Sequence, residues 1–289
     1  MRWPKDATDW PLTDHSRIVQ SPPHRWHVQE AGTGPLLLLL HGAGGATQSW
    51  RNLFPLLAET HRVVAIDLPG QGFTQLGARQ RCGLPPMAQD IATLCAHEGW
   101  EPAAYIGHSA GAVLALQLTL LNPEARVIGI NAALGKFDGV AGWLFPAMAK
   151  MLALTPFVPD LFAATAGTPG TVRRLIEGTG SQIGDTGIAL YKRLITDRDH
   201  VDATLAMMSQ WELDDLLAAL PSHPAHVTLI AGANDRTVPP AISERAAAQL
   251  PHATLHILEH LGHLAHEEDA ATIAKLIRDA LAPDPAAPT

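Results

Sequence analysis

The segment Gly107-His108-Ser109-Ala110-Gly111 restricts what this chain can fold into more than any other. The apolar run that ends at Ile106 is typical of a buried strand, and residues 112–121 indicate a helix. A serine on so tight a turn between strand and helix has a strained backbone and projects its hydroxyl out of the sheet. The flanking glycines avoid Cβ collisions with the neighbouring strand and helix. The pattern predicts a nucleophile elbow with Ser109 as the nucleophile.

Composition narrows the class of protein. With 289 residues, 47% of them hydrophobic and 17% charged, the chain can bury a sizeable core. A net charge of −8 with no basic stripe argues against a nucleic-acid partner. Cys82 and Cys95 are too few for a disulfide framework, no signal peptide is recognisable at the N-terminus, and the run 36–40 is too short to cross a bilayer. We therefore expect a cytoplasmic protein.

Short apolar strands alternate with amphipathic helices over most of the chain. This order predicts a mostly parallel central sheet flanked by helices, in which the chemistry lies at the carboxyl ends of the strands. From about 134 to 223 the alternation stops, because helical patterns such as 188–195 continue without a convincing strand. The predicted domains are a core of residues 1–133 and 224–289 and an inserted helical cap of residues 134–223.

Two residues at later strand ends complement Ser109. Its hydroxyl needs a base and a group that orients the base. Asp235 follows the predicted strand 227–231, and His263 follows the last predicted strand, after Gly262, which permits a tight loop. We predict that His263 accepts the serine proton and that Asp235 fixes the imidazole tautomer and stabilises its charged form.

Other assignments stay open from the sequence. Asp138, beyond the preceding strand, is an alternative acid, and His260 and His266 are alternative bases. Those two histidines and His263 form an H-x-x-H-x-x-H pattern that could suggest a metal site, but no cysteines flank it and a triad already explains His263. We expect neither a metal nor an organic cofactor.

An oxyanion hole requires preorganised hydrogen-bond donors. The backbone amide of Ala110, directly after the nucleophile, is one candidate. The amide of Ala43, just past the strand that ends at His41-Gly42, is the other.

An apolar segment of the cap, which includes Trp143 and Phe145, has two interpretations. Its side chains pack the cap onto the sheet, or they form an apolar pocket or a surface that contacts a membrane or a large planar ligand. Trp143 and Phe145, with His108 beside the nucleophile, are the candidate pocket residues.

The motifs together resemble the α/β-hydrolase fold family over nearly the whole chain. They are HGAGG (41–45), DLPGQG (67–72), GHSAG (107–111), GANDRTVP (232–239) and EHLGH (259–263). A narrower set is similar to the magnesium-chelatase accessory proteins of bacteriochlorophyll biosynthesis (the BchO family): Arg2-Trp3, DWP (9–11), RWHVQ (25–29) and LLLLHGAGGATQSWR (37–51). The second resemblance implies a role near magnesium insertion into protoporphyrin IX, with a tetrapyrrole substrate and magnesium-chelatase subunits as partners.

The expected function is a serine hydrolase that works through an acyl-enzyme on an apolar ester or related carbonyl compound. A serine at the elbow argues against haloalkane dehalogenase or epoxide hydrolase chemistry, for which the resemblance implies aspartate. Hydrolysis of a C–C bond uses the same triad and stays open. The alternative is a non-catalytic accessory protein of magnesium chelatase that binds a porphyrin.

Overall fold

The computed structural model of the protein describes residues 1–135 and 168–282, and these contain one eight-stranded sheet. Strand order in the sheet is β1-β2-β4-β3-β5-β6-β7-β8, with β2 antiparallel to β1 and β4 and all other neighbours parallel. The predicted α/β fold class is confirmed. The strands are β1 Ser16–Ser21, β2 His24–Ala31, β3 Leu36–Leu40, β4 Arg62–Ile66, β5 Pro102–His108, β6 Arg126–Ile130, β7 Val227–Gly232 and β8 Ala253–Leu258.

Helices cover both faces of the sheet. Strand β3 consists of five leucines, and all of them are buried because alternate side chains enter opposite cores. Leu38 and Leu40 pack in the core beneath α2 (Leu84–Glu98) and α3 (Ala110–Thr119). Leu37 and Leu39 pack in the core beneath α1 (Leu53–Ala58) and α10 (Ala270–Leu281). The helices are α1 Leu53–Ala58, α2 Leu84–Glu98, α3 Ala110–Thr119, α4 Pro169–Gly178, α5 Asp185–Ile195, α6 Arg198–Gln210, α7 Asp214–Ala219, α8 Pro240–Gln249, α9 Ala265–Glu268 and α10 Ala270–Leu281.

The long connection between β6 and β7 carries helices in its described part. Residues 168–222 form α4 to α7 and a short 3₁₀ turn at Leu220–Ser222, and no strand occurs among them. The division into core and cap stays a prediction, since the first part of the predicted cap lies outside the described residues. Asp138, Trp143 and Phe145 belong to that part.

Candidate active site

Ser109 occupies a strained turn between a central strand and a helix. β5 ends at His108 and α3 begins at Ala110, so Ser109 is the only residue between them. Its φ of 53° and ψ of −115° are unfavourable for a residue with a side chain. The neighbouring glycines are required sterically, because a Cβ on Gly107 would lie 2.2 Å from the Gly111 carbonyl oxygen, and one on Gly111 would lie 1.9 Å from that of Leu40.

Asp235 and His263 are joined by a buried hydrogen bond. His263 Nδ1 lies 2.7 Å from Asp235 Oδ2, and the same oxygen accepts a 2.7 Å bond from Asn131 Nδ2. The other oxygen, Oδ1, accepts 2.8 Å bonds from the amides of Thr237 and Val238. Four donors therefore fix the carboxylate and, through it, the orientation of the imidazole.

The His263 ring lies beside the residue that precedes Ser109. The ring centroids of His108 and His263 are 4.8 Å apart, and His108 Nε2 donates to the His263 carbonyl oxygen at 2.8 Å. Burial, with the neighbouring His266 and His263 rings, holds the pKa of His108 well below its usual value, so its imidazole is neutral. Among the hydrogen bonds of residues 1–135 and 168–282, none joins Ser109 Oγ to His263.

Further contacts hold the backbone on both sides of His263. The Gly262 amide donates to Glu268 Oε1 at 3.0 Å, and the Leu264 amide donates to Ser181 Oγ at 2.7 Å. Gly262 must lack a side chain, since a Cβ there would lie 2.3 Å from the Gly180 carbonyl carbon. The close approach of the Gly180 backbone is therefore the physical reason for a glycine at position 262.

The loop after β3 lies against the nucleophile. A Cβ on Gly42 would come within 3.1 Å of Ser109 Cβ, so the Ala43 amide is close to the serine. His41 Nδ1 donates to the Gly42 carbonyl at 2.8 Å, and His41 Nε2 accepts from the Leu68 amide at 2.9 Å. The peptide that contains the Ala43 amide is thereby fixed by a neutral histidine.

Two backbone amides at this point are available to a ligand. Neither the Ala43 amide nor the Ala110 amide donates to an acceptor within the part of the chain that the structure describes. Both belong to residues next to the turn at Ser109 or to the loop packed on it. Backbone amides without an internal acceptor beside a nucleophile are one requirement of an oxyanion hole.

The remaining sequence candidates do not form a hydrogen bond with Asp235 in the described residues. His260 is exposed, whereas His266 is fully buried between the rings of Trp50 and His108, and burial lowers its pKa to about 3. No cluster of three or more His, Cys, Asp or Glu side chains in residues 1–135 and 168–282 is arranged to hold a metal ion. Cys82 and Cys95 are free and buried, and burial raises the pKa of each thiol.

Sequence reasoning missed Asn131 and the contact of His108 with the His263 backbone. Asn131 directly follows β6 and has a positive φ of 48°, a conformation that asparagine tolerates better than most residues. An asparagine at a strand end indicates its hydrogen bond to Asp235 only weakly, because the two residues are far apart in sequence.

Comparison with known proteins identifies the family of the chain. The sequence profile described as the alpha/beta hydrolase fold matches residues 35–270. The chain belongs to the α/β-hydrolase fold family. It is 46% identical over 273 residues to the magnesium-chelatase 30 kDa subunit of Rhodobacter capsulatus, covering 94% of this chain and 96% of that protein. Both resemblances expected from the motifs are thus confirmed.

More distant α/β hydrolases also match over most of the chain. A pimeloyl-[acyl-carrier protein] methyl ester esterase of Xanthomonas oryzae pv. oryzae is 29% identical over 241 residues, covering 82% of this chain and 91% of that enzyme. The crystal structure of the Cif epoxide hydrolase from Acinetobacter nosocomialis superimposes with a TM-score of 0.76 at 17% identity, covering 92% and 88% of the two chains. Within the described residues, no helix is long and apolar enough to cross a membrane.

Proposed function

We propose that this α/β hydrolase is a serine-nucleophile enzyme that cleaves an apolar ester or related carbonyl compound through an acyl-enzyme. One observation carries the proposal: the strained Ser109 turn adjoins a histidine that is hydrogen bonded to a buried carboxylate at 2.7 Å. A residue is held at such a φ only where the surrounding structure enforces it, and exposing a reactive hydroxyl is a reason to do so.

The contacts of Asp235 and His263 support the following acylation half-reaction. Ser109 Oγ attacks the substrate carbonyl carbon while His263 Nε2 takes its proton, and Asp235 stabilises the resulting imidazolium. The amides of Ala43 and Ala110 bind the oxyanion. When the tetrahedral intermediate collapses, the bond to the leaving group breaks, and His263 returns the proton to that group. The hydrogen bond between Ser109 Oγ and His263 forms when substrate binds, because catalytic hydrogen bonds are often long without substrate and shorten in the substrate complex.

Deacylation repeats these steps with water. His263 takes a proton from the attacking water, the second tetrahedral intermediate is held by the same amides, and the bond to Ser109 Oγ breaks. The acid is released and Ser109 recovers its proton from His263. Cleavage of a C–C bond requires the same groups, with a carbon as the leaving atom.

The names of two relatives support a biological setting. The R. capsulatus protein is named as a subunit of magnesium chelatase, and the Xanthomonas enzyme as a methyl ester esterase. Together these names support a substrate related to tetrapyrroles in bacteriochlorophyll biosynthesis, close to magnesium chelation, with magnesium-chelatase subunits as partners. The predicted pocket residues Trp143 and Phe145 and peripheral contact of the cap with a membrane belong to the same proposal.

The test is labelling with a fluorophosphonate probe and location of the adduct by mass spectrometry. We expect one adduct, on Ser109, that is lost in Ser109→Ala and His263→Ala. His260→Ala is the matched control, because His260 lies in the same loop but is exposed. Absence of labelling in folded wild-type protein would overturn the proposed function.

A second function is favoured by the name of the R. capsulatus relative alone. A non-catalytic accessory protein of magnesium chelatase would bind a porphyrin and leave Ser109 unused. Titration with protoporphyrin IX, followed by the Soret band, distinguishes the two. Tight binding without labelling of Ser109 supports the accessory role, whereas labelling with turnover of esters supports the hydrolase.

A further inference from the structure

One face of helix α6 lies on the loops beside the candidate active site. His200, Ala203, Thr204 and Met207 follow the spacing i, i+3, i+4, i+7 and therefore share this face. Their neighbours belong to two loops, residues 41–45 and 67–72. A Cβ on Gly70 would lie 2.4 Å from Ala203 Cβ, one on Gly44 would lie 3.7 Å from Thr204 Cγ2, and Gln71 Nε2 donates to Met207 Sδ at 3.3 Å.

His200 joins both loops through its two ring nitrogens. Nε2 donates to the Gly44 carbonyl oxygen at 3.1 Å, and Nδ1 accepts from the Gly72 amide at 3.1 Å. The Asp197 side chain caps α6 and accepts from the His200 amide at 2.9 Å, which sets the position of the histidine in the first turn. The side chain is buried, and its neutral form with the proton on Nε2 satisfies both contacts.

The loop that His200 holds is fixed by a few hydrogen bonds, among them those that His41 Nδ1 and the Gly45 amide donate to the Gly42 carbonyl. Residues 42–45 are glycine or alanine, and Gly44 has a positive φ of 75°, so side-chain packing cannot determine its backbone. The Gly44 amide donates to Gln71 Oε1 at 2.8 Å, and His200 holds the Gly44 carbonyl. These two contacts orient the peptides on either side of Gly44, which directly follows Ala43.

We propose that His200 is a positioning residue for the reaction. Through its bond with the Gly44 carbonyl, α6 holds the loop so that the Ala43 amide points at the carbonyl oxygen that becomes the oxyanion. The inference rests on the proposed function. It adds that α6, a helix in the connection between β6 and β7, positions one donor of the oxyanion hole. Preorganised donors of this kind act mainly in the transition state.

Asparagine and glutamine at position 200 separate the two contacts. A glutamine amide reaches the place of Nε2 and can still donate to the Gly44 carbonyl, whereas an asparagine amide reaches only the place of Nδ1, next to the Gly72 amide. We expect His200→Gln to stay within about threefold of the wild-type kcat for p-nitrophenyl butyrate. His200→Asn should lose about 10- to 100-fold in kcat with KM unchanged, below the loss of a whole oxyanion donor, about 10²–10³.

His223 provides the matched control. It is also a buried histidine whose Nε2 donates to a carbonyl, that of Leu116 at 3.1 Å, and whose Nδ1 accepts from an amide, that of Ala225 at 3.4 Å. Leu116 lies about two turns along α3 from Ser109. His223→Asn should lower the melting temperature as His200→Asn does, but leave kcat unchanged. Equal kcat losses in the two asparagine variants, or a loss confined to KM, would overturn the inference.

Amide hydrogen exchange tests the positioning without catalysis. Peptides covering residues 41–50 should exchange faster in His200→Asn than in the wild type or His200→Gln. Unchanged exchange there would overturn the inference whatever the activity, while wild-type protein that neither turns over esters nor labels with fluorophosphonate overturns only the proposed function. If His200→Asn does not fold, His200→Leu replaces it, because leucine fills similar volume without either hydrogen bond.

Discussion

The loop that carries His263 and the loop that carries Ala43 both adjoin Ser109 but are anchored by different chemistry. Carboxylates contribute to the first, where Asp235 holds the His263 ring and Glu268 accepts from the Gly262 amide, beside the neutral contacts of His108 and Ser181. In the proposed mechanism this loop, the charged half of the site, stabilises a positive charge that appears on the His263 imidazole, and the buried carboxylate of Asp235 serves that purpose.

Neutral groups hold the second loop. His41, Gln71 and His200 bond to the backbone of residues 42–44, and burial lowers the pKa of both histidines. In the proposed mechanism this loop, the neutral half of the site, supplies the backbone amide of Ala43 to the oxyanion, so the loop conformation is what has to be preserved. We therefore expect the charged half to lose activity when a charge is removed, and the neutral half to lose activity when a hydrogen bond is removed.

The largest effect should come from Asp235→Asn, which tests the charged half. The Asp235 oxygens accept four hydrogen bonds, so an asparagine NH₂ must face another donor on one side or the other. We expect kcat to fall by about 10⁴-fold, because the imidazolium is no longer stabilised and its tautomer is no longer fixed. Steady-state kinetics on folded variant check this. A loss below tenfold would mean that Asp235 only organises its loop.

The neutral half predicts an acid-sensitive fold. Burial lowers the pKa of His200 to about 4 from an ordinary value of 6.5, so between those pH values the unfolded chain binds more protons than the folded one. The contribution of neutral His200 to the unfolding free energy is fully present above pH 6.5. As the pH falls from 6.5 to 4, the unfolding free energy decreases by about 3 kcal/mol because of this group. The titratable groups around it are Asp197, Asp67 and His41.

Urea unfolding at several pH values measures this loss. The slope of the unfolding free energy against pH between 6.5 and 4 reports the number of protons taken up on unfolding. In His200→Gln this number should be lower than in the wild type by up to one proton. Parallel curves for the two proteins would show that the acid sensitivity lies in other groups.

A smaller effect is expected where the two halves meet, at His108. Its Nε2 donates to the His263 carbonyl, and phenylalanine would keep the ring but remove that donor. We expect His108→Phe to lower kcat about tenfold, because a misplaced base loses part of its alignment with the serine. His108→Gln, which retains a donor near the same place, should recover most of the loss. Similar kcat values for the two variants would contradict a role in positioning His263.

The smallest effect should come from Ser181→Ala. Ser181 Oγ accepts from the Leu264 amide, and its removal leaves a buried donor unpaired. The unfolding free energy should fall by about 1–2 kcal/mol with kcat within about threefold of wild type. Ser222→Ala, at an exposed serine, is the control and should change neither quantity. A kcat loss comparable to that of His200→Asn would remove the contrast between the two loops.

The sequence predicts the sheet well where strands are apolar throughout. β3 is recognisable from five leucines because both of its faces are covered by helices. β1, Ser16–Ser21, is not predicted, since it lies at the edge of the sheet and four of its six residues are polar. Only its pairing with β2 identifies it as a strand, and pairing is a long-range property.

The same limit applies to the site. Ser109, Asp235 and His263 are recognisable because each sits in a short motif at a strand end. The contacts of Asn131 with Asp235 and of His200 with Gly44 cannot be predicted from the sequence, because each joins segments that are far apart along the chain. Hydrophobic periodicity can predict a helix at the position of α6. It cannot predict that this helix packs on the loops 41–45 and 67–72.

The sheet register carries a consequence for how the molecule reaches its folded state. β6 pairs with β7 through contacts such as Val127 with Val227, roughly 100 residues apart, whereas β3, β4, β5 and β6 pair over shorter separations. Because long loops close late, we expect the half of the sheet that bears Ser109 to form first. The half that bears Asp235 and His263 then docks onto it. The nucleophile would thus acquire its base only in the closing stage of folding, so a partly folded chain presents an inert serine.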